Sequence, residues 1–499
     1  MRTKKIIVST INNSFINLIK KFTKREINEF HKFLDSPFHN THKTVVRLFA
    51  VIKKHHPSYS SELFTNQQLF KSVNPSKKYD DVLLRKYYSR LTELAIKFLG
   101  IKNYLSNKNI FEIESLFEIC KKDDHKLFSK KLKYIQHHFE SKSELNYYDY
   151  LTLYRLDTVK FFEKLRNSKF EFTEKDIESS FTNLLLFFLF NINAYYGQVL
   201  LNKKNFSKEY LGNSIEHFYD SFDIEKFLVQ QIPLSKNKKN KLFMELILND
   251  FRLFSNFNSL TSYKILKNLV TKNLSNLNDE LKHYYFKRLI VYCTLNRNKK
   301  TLNADSDIFN YFKYMIEKGL FFLKDTPGLD LIDFRAILFT AIKNNKIKWA
   351  ENFINEHNYC IKNESRKNLM KYGYGHIYFT KKEYGKCLEY CADLKMESGF
   401  LKPDIYLLKA QSYYELGYLD TCESFAESMR HHFSRKNIYS ENYTLKHLNF
   451  LKVYKKLIKL KQSPVKKEIF KINEFLNKQN SFVKVDWLKE KAEELLKLS

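Results

Sequence analysis

Apolar side chains recur along this chain at intervals of three and four, the spacing that gathers them on one face of an α-helix. Ile27, Phe30, Phe33 and Leu34 make the first such face. Thr23 and Glu26 ahead of it predict a capping box, in which each side chain satisfies the other's orphan amide. Pro37 predicts its end, because the residue before a proline is pushed out of the α region. A second helix encloses Val45, Leu48, Phe49 and Ile52 and stops before Pro57, and a short third covers about 67–73. A long fourth starts near Asp80 and carries Leu84, Tyr88, Leu91, Ala95 and Phe98, with Gly100 placed where a terminating glycine belongs. Residues 101–178 read as three or four helices with mixed-charge faces. The segment 202–241, broken by Ile232-Pro233 and a lysine cluster, reads as an exposed loop or module boundary. Amphipathic helices resume over 242–254, 260–273, 279–295, 308–323 and 330–344, with Asp325-Thr326-Pro327-Gly328 as the last turn between them. Three more follow over 440–461, 466–476 and 485–498.

One stretch departs from this alternation. Ser179 to Asn202 contains no charge and approaches the length of a bilayer span. Thr182, Asn183, Asn191, Asn193 and Gln198 interrupt it, so the expectation is a helix buried on two sides, with no membrane span.

Between Met370 and Met429 the pattern copies itself. Gly375, Tyr378, Tyr384, Cys387, Cys391 and Leu394 recur 35 residues later as Ala410, Tyr413, Leu419, Cys422, Ala426 and Met429. Ala350 occupies the position of Cys387 and Cys422 one unit earlier, at a spacing of 37. Small residues are needed where two helix backbones approach, and aromatics where a helix pair clamps its neighbour. That period is the one expected of stacked helix–turn–helix units.

On these residues the three units resemble the tetratricopeptide repeat family. The resemblance implies an all-α fold, an α-solenoid of antiparallel helix pairs, with Ala350, Gly375, Tyr378, Cys387, Ala410, Tyr413 and Cys422 as its packing positions. The usual early Trp is replaced by Lys371 and Tyr406, and the closing Pro is missing. No matching set of Lys, Asn and Arg stands where that family clamps a peptide carboxylate. The opening hundred residues resemble the N-terminal part of a group of uncharacterised helical proteins from Bacteroidota. That second likeness rests on Glu29-Phe30, on Phe33-Leu34-Asp35-Ser36-Pro37-Phe38-His39-Asn40, on Leu84-Arg85, and on Leu91 to Leu99; it implies no activity. The expected organisation is a basic helical module over 1–105, a helical-repeat region over 106–330, and tetratricopeptide-like repeats with C-terminal capping helices over 331–499.

Composition supports a folded, helical chain. Ten Gly and seven Pro in 499 residues leave little for the tight turns of an all-β protein. Apolar residues at 43% and aromatics at 16% exclude bulk disorder. Six cysteines (Cys120, Cys293, Cys360, Cys387, Cys391 and Cys422) are too few for a disulfide framework in a chain this long. They read as reduced thiols of a cytoplasmic protein. The apolar run Ile6-Ile7-Val8 is too short for a secretory signal.

Charge changes the picture more. The net charge is +31, and it is uneven: Lys and Arg outnumber Asp and Glu by 19 to 7 in residues 1–100, by 10 to 2 in 251–300 and by 13 to 6 in 451–499. Patches of one sign suggest a polyanion-facing surface. The candidates are Lys236, Lys238, Lys239 and Lys241; Lys287 and Arg288; Arg297, Lys299 and Lys300; and Lys452, Lys455, Lys456 and Lys459, which share one helical stripe. Such a stripe can bind phosphates by releasing their counterions; the plainer reading is a solvated outer face. Nothing in the sequence reads bases, so binding to RNA or a ribonucleoprotein such as the ribosome would depend on shape and charge.

Catalytic and metal-binding grammars are missing. No phosphate-cradling glycine loop, zinc-binding His-Glu pair or nucleophile elbow stands in the chain. Cys387 and Cys391 lie one helical turn apart with His376 as the nearest third ligand, and core packing accounts for both thiols more simply than zinc. The adjacent pairs His55-His56, His137-His138 and His431-His432 point about 100° apart on a helix and read as surface residues at helix ends. The expectation is a non-enzymatic α-solenoid adaptor with no cofactor, metal or small-molecule substrate. It holds a protein partner and docks on a polyanion through its basic blocks. Its alternatives are an adaptor for proteins alone and a helical enzyme whose site is scattered.

Overall fold

The computed structural model describes residues 11–59, 64–144, 146–167, 173–206, 214–323, 329–357, 363–394, 401–434, 439, 441–478 and 482–498. Among these there are 24 α-helices, two single 3-10 turns and no strand, as the apolar spacing and the scarcity of glycine predict. Asp325-Thr326-Pro327-Gly328, Cys360 and the first ten residues lie outside the described residues. The chain divides into two compact units: the described residues of Met1–Ser141 and Leu151–Phe181 form one, those of Lys142–Tyr150 and Thr182–Ser499 the other.

The first unit opens with α1 (Ser14–Ile19), α2 (Lys24–Asp35), α3 (Lys43–Ile52), α4 (Asn66–Val73) and α5 (Asp81–Ser106). The capping box at the start of α2 is complete: Thr23 Oγ1 accepts from the Glu26 amide at 3.2 Å, and the Thr23 amide donates to Glu26 Oε2 at 2.8 Å. These helices enclose a core of Phe15, Phe30, Phe49, Leu91 and Phe98. Phe30 and Phe49 meet edge to face at 4.9 Å, an arrangement favoured by the ring quadrupoles. Gly100 does not terminate α5. The helix runs on to Ser106, and Asn107 ends it while its side chain caps the Ile110 amide of α6 (Lys108–Lys121). A lone glycine costs a helix about 1 kcal/mol, too little to stop one that a capping Asn ends about two turns later. After α6 come α7 (His125–Ser141), α8 (Tyr147–Arg166) and α9 (Glu174–Phe206).

Helix α9 carries the uncharged run and differs from the expected two-sided burial. Ile177, Phe181, Leu184, Phe188 and Tyr195 are exposed; their spacing of 4, 3, 4 and 7 puts them on one side of the helix. Leu186, Leu189, Phe190 and Asn193 are buried on the other. By length and composition the helix can cross a membrane, and 28% of its most apolar window is buried within the protein.

The second unit continues with α10 (Ser214–Ser221), α11 (Ile224–Leu234), α12 (Lys238–Ser255), α13 (Leu260–Lys272), α14 (Asp279–Leu295) and α15 (Ala304–Glu317). It goes on through α16 (Leu331–Lys343), α17 (Ile347–His357), α18 (Asn363–Thr380), α19 (Tyr384–Ala392), α20 (Lys402–Glu415) and α21 (Leu419–Phe433). The last three are α22 (Glu441–Gln462), α23 (Lys466–Lys478) and α24 (Val485–Leu498). From α11 to α22 each helix packs against the next, and α18 also packs against both α16 and α20. The described part of the 202–241 segment is more helical than its sequence suggests. Asn237 accepts from the amides of Lys239 and Asn240, so the lysine cluster opens α12 instead of forming a loop.

The copied stretch has a copied turn. Asn345, Lys382 and Gly417 adopt positive φ values of 56°, 63° and 75°, and each stands two residues before its helix, α17, α19 or α21. In all three, the next amide reaches five residues back: Lys346 to the Ala341 carbonyl at 2.9 Å, Glu383 to Tyr378 at 2.9 Å, Tyr418 to Tyr413 at 3.0 Å. This is the bond pattern of a Schellman ending, which satisfies the last carbonyls of a helix with a left-handed residue. Ala350, Cys387 and Cys422 each stand three residues into the following helix, and all three are fully buried.

Candidate binding surface

Alternate helices of the repeated stretch converge on one polar cluster. Asp404, in the first turn of α20, is buried and is held by Arg335 of α16 through two hydrogen bonds, Nε to Oδ2 at 2.5 Å and Nη2 to Oδ1 at 2.9 Å. Tyr372 of α18 donates a third at 2.8 Å. Burial works to raise the Asp404 pKa, but the guanidinium overrides it and holds the carboxyl below its ordinary range. A planar guanidinium meeting a carboxylate with two parallel bonds is a strong form of this contact.

Around that pair lies an aromatic shell. Arg335 Cζ stands 4.6 Å from the centre of the Phe339 ring, and His376 of α18 meets the same ring edge-on at 4.7 Å. Lys484, just ahead of α24, places its Nζ 5.6 Å from that ring. Tyr443 and His447 of α22 feel the charges of Asp404. His376 is buried, its Nε2 has no hydrogen-bond partner among the described residues, and burial reinforced by the Lys484 charge pushes its pKa down to about 3. Lys484 keeps exposed side-chain surface, yet the surrounding protein desolvates its ammonium and lowers its pKa. This group is not legible in the sequence, because its members come from separate helices and the repeat pattern tracks packing positions.

A Cβ on Gly375 would meet Cys391 Sγ at 3.0 Å and Leu408 Cδ2 at 3.4 Å, which explains a glycine inside α18. Tyr378 rests on Tyr390 at 5.0 Å and Tyr413 on Phe425 at 5.4 Å. The buried Ala410 contributes its carbonyl to the Tyr454 hydroxyl at 2.7 Å. Cys387 and Cys391 are buried against Leu408, and among the described residues no group of three His, Cys, Asp or Glu could hold a metal. His432 is buried and bonded to the Tyr439 hydroxyl at 3.0 Å, not a surface residue.

The thirteen basic candidates divide. Arg288 is not on the surface: it is buried, chelates Asp250 at 2.7 and 2.9 Å and stacks on Phe254 at 3.3 Å. Tyr284 and Asn193 complete the bonding of Asp250 at 2.9 and 2.8 Å. Lys287 pairs with Asp333, Arg297 with Asp305 at 2.8 Å, and Lys455 with Glu427. Lys239 donates to the Lys142 carbonyl, and Lys299 to Asn258 at 3.0 and 3.2 Å. Lys236, Lys238, Lys241, Lys300, Lys452, Lys456 and Lys459 are exposed. On α22 the exposed lysines stand opposite the buried Phe450, Tyr454, Leu457 and Ile458. No protein-family model, curated protein or solved structure matches the chain.

Proposed function

We propose that this chain is a non-enzymatic adaptor built as an α-solenoid of antiparallel, tetratricopeptide-like helix pairs. The first helices of successive pairs hold a protein segment, and exposed lysines dock the adaptor on a polyanion such as RNA or a ribonucleoprotein. One observation carries the reading: α16, α18, α20 and α22, every second helix, each send side chains to the cluster around Asp404. Helix pairs stacked side by side present every second helix on a common surface, and a long continuous surface is what such arrays use for binding.

The polyanion half rests on the exposed lysines of α22 and of the start of α12. A footprint of six lysines loses about three orders of magnitude in affinity as salt rises from about 50 to 200 mM. Pull-down from lysate at those two salt levels, with and without nuclease, tests both halves. The expected outcome is two classes of partner, one surviving nuclease and salt and one lost with either. Lys452→Gln, Lys456→Gln and Lys459→Gln together should remove only the second class. Full retention of that class by the triple variant would overturn the polyanion half, and recovery of no salt-resistant partner would overturn the other. An adaptor for proteins alone is the second reading. It is favoured by the internal ion pairs of Lys287, Arg288, Arg297 and Lys455.

A further inference from the structure

Among the described residues, the cluster around Asp404 holds one positive charge more than it holds negative ones. Asp404 is committed to Arg335 and Tyr372. The charged groups acting on Lys484 are this same Asp404 and Arg335, whose charges cancel as a pair. Among the described residues Lys484 makes no ion pair of its own. The residue therefore keeps exposed surface while the surrounding protein desolvates its ammonium beside Phe339, and no carboxylate of the described residues pairs with it. A charge in such a place attracts an opposite one more strongly than a surface lysine does, because less water screens it.

We propose that Lys484 anchors a carboxylate side chain, Asp or Glu, of an extended protein segment lying across α16, α18 and α20; the proposal rests on the adaptor reading above. The charge count selects the ligand. A single carboxylate neutralises the one spare charge, whereas a doubly charged phosphate or a nucleic-acid strand would bring further negative charge against Asp404. Phe339 and Tyr443, both half-buried, supply aromatic surface for the apolar stem of the side chain. The buried Nε2 of His376, without a partner among the described residues, is a second sign. An unbonded polar group is costly in a packed site, and a polar ligand or its accompanying water relieves that cost.

The test uses the full chain and fluorescence anisotropy. The probes are a fluorescein-labelled peptide of alternating Glu and Ala and its counterpart with Gln in place of Glu. The wild-type protein is expected to bind the Glu peptide about ten-fold more tightly than the Gln peptide. Lys484→Gln should abolish that preference, Lys484→Arg should keep it, and Lys97→Gln, at an exposed lysine of α5, should leave it unchanged. Lys484→Gly serves as the second neutral variant, because the positive φ of 52° at this residue suits glycine and preserves the fold. Equal binding of the two peptides by wild type, or an unchanged preference in Lys484→Gln and Lys484→Gly, overturns the proposal. So does labelled oligouridylate that binds more tightly than the Glu peptide in a Lys484-dependent way, which would make the site one for nucleic acid. The two readings fail separately. Salt-resistant partners retained by Lys484→Gln sink the anchor and spare the adaptor, while a Lys484-dependent Glu preference without any salt-resistant partner does the reverse.

Discussion

Gly197 on α9 and Arg288 on α14 meet so closely that a Cβ at residue 197 would lie 2.7 Å from the Arg288 guanidinium carbon. The glycine exists to admit the arginine, and the arginine to neutralise Asp250, which is 1% exposed. Removing one partner of such a buried pair leaves the other charge uncompensated, which costs about 3–5 kcal/mol. Arg288→Met is therefore expected to lower the chemical-denaturation stability of the second unit by that order, and Gly197→Ala to follow it in direction. Arg288→Met combined with Asp250→Leu should recover most of the loss, since an apolar replacement of the whole pair is often neutral. Arg288 also shows why sequence misplaces a charge. Its position beside Lys287 looks like a surface patch, and only the tertiary neighbour Asp250 reveals it as a core residue.

His376 makes a second prediction at this scale. Its pKa is about 3 in the folded chain against an ordinary 6.5 when unfolded. Between those values the unfolded chain binds more protons, so stability is complete above pH 6.5 and falls as pH drops below it. The slope is about 1.4 kcal/mol per pH unit for one such group. His283, lowered to about 4 by burial, adds in the same direction but less, because solvent screens it. Denaturation midpoints at pH 7, 6 and 5 should therefore decline, and His376→Leu should flatten the decline.

At the level of elements, the sequence revealed most where a pattern is local. The capping box of α2, the apolar faces of α3 and α5 and the helical setting of Gly375 all follow from residues within a turn or two of one another. The shared turn of α17, α19 and α21 was less visible, because a left-handed residue can be Asn, Lys or Gly and its bonds are all backbone. Lys382 bears this conformation at a cost of roughly 1–2 kcal/mol, against about 0.5–1 kcal/mol of extra chain entropy for a glycine there. Lys382→Gly should accordingly stabilise the chain by about 0.5–1 kcal/mol. Gly417→Ala should destabilise it by about 1 kcal/mol, because Ala at positive φ is strained. Thermal melts of the two variants, moving in opposite directions, would show that the turns are equivalent.

For the whole molecule, charge was readable as a total and not as a map. The +31 balance is plain in the sequence, but whether a lysine faces water, a carboxylate or a carbonyl depends on a partner 30 to 100 residues away, as with Lys287 and Asp333 or Lys239 and Lys142. The Asp404 cluster escaped the sequence for the same reason. Arg335 and Asp404 are 69 residues apart, and no spacing rule joins them.

The apolar side of α9 bears on how the isolated protein behaves in solution. Ile177, Phe181, Leu184, Phe188 and Tyr195 form a greasy seam about 27 Å long at the rise of an α-helix. Between copies, that attraction is opposed by a mutual repulsion that the large positive balance sustains at low ionic strength. Added electrolyte shortens the reach of the repulsion to about 10 Å at 0.1 M and leaves the seam untouched. Solubility should thus decrease as electrolyte rises, and a mild detergent should restore it.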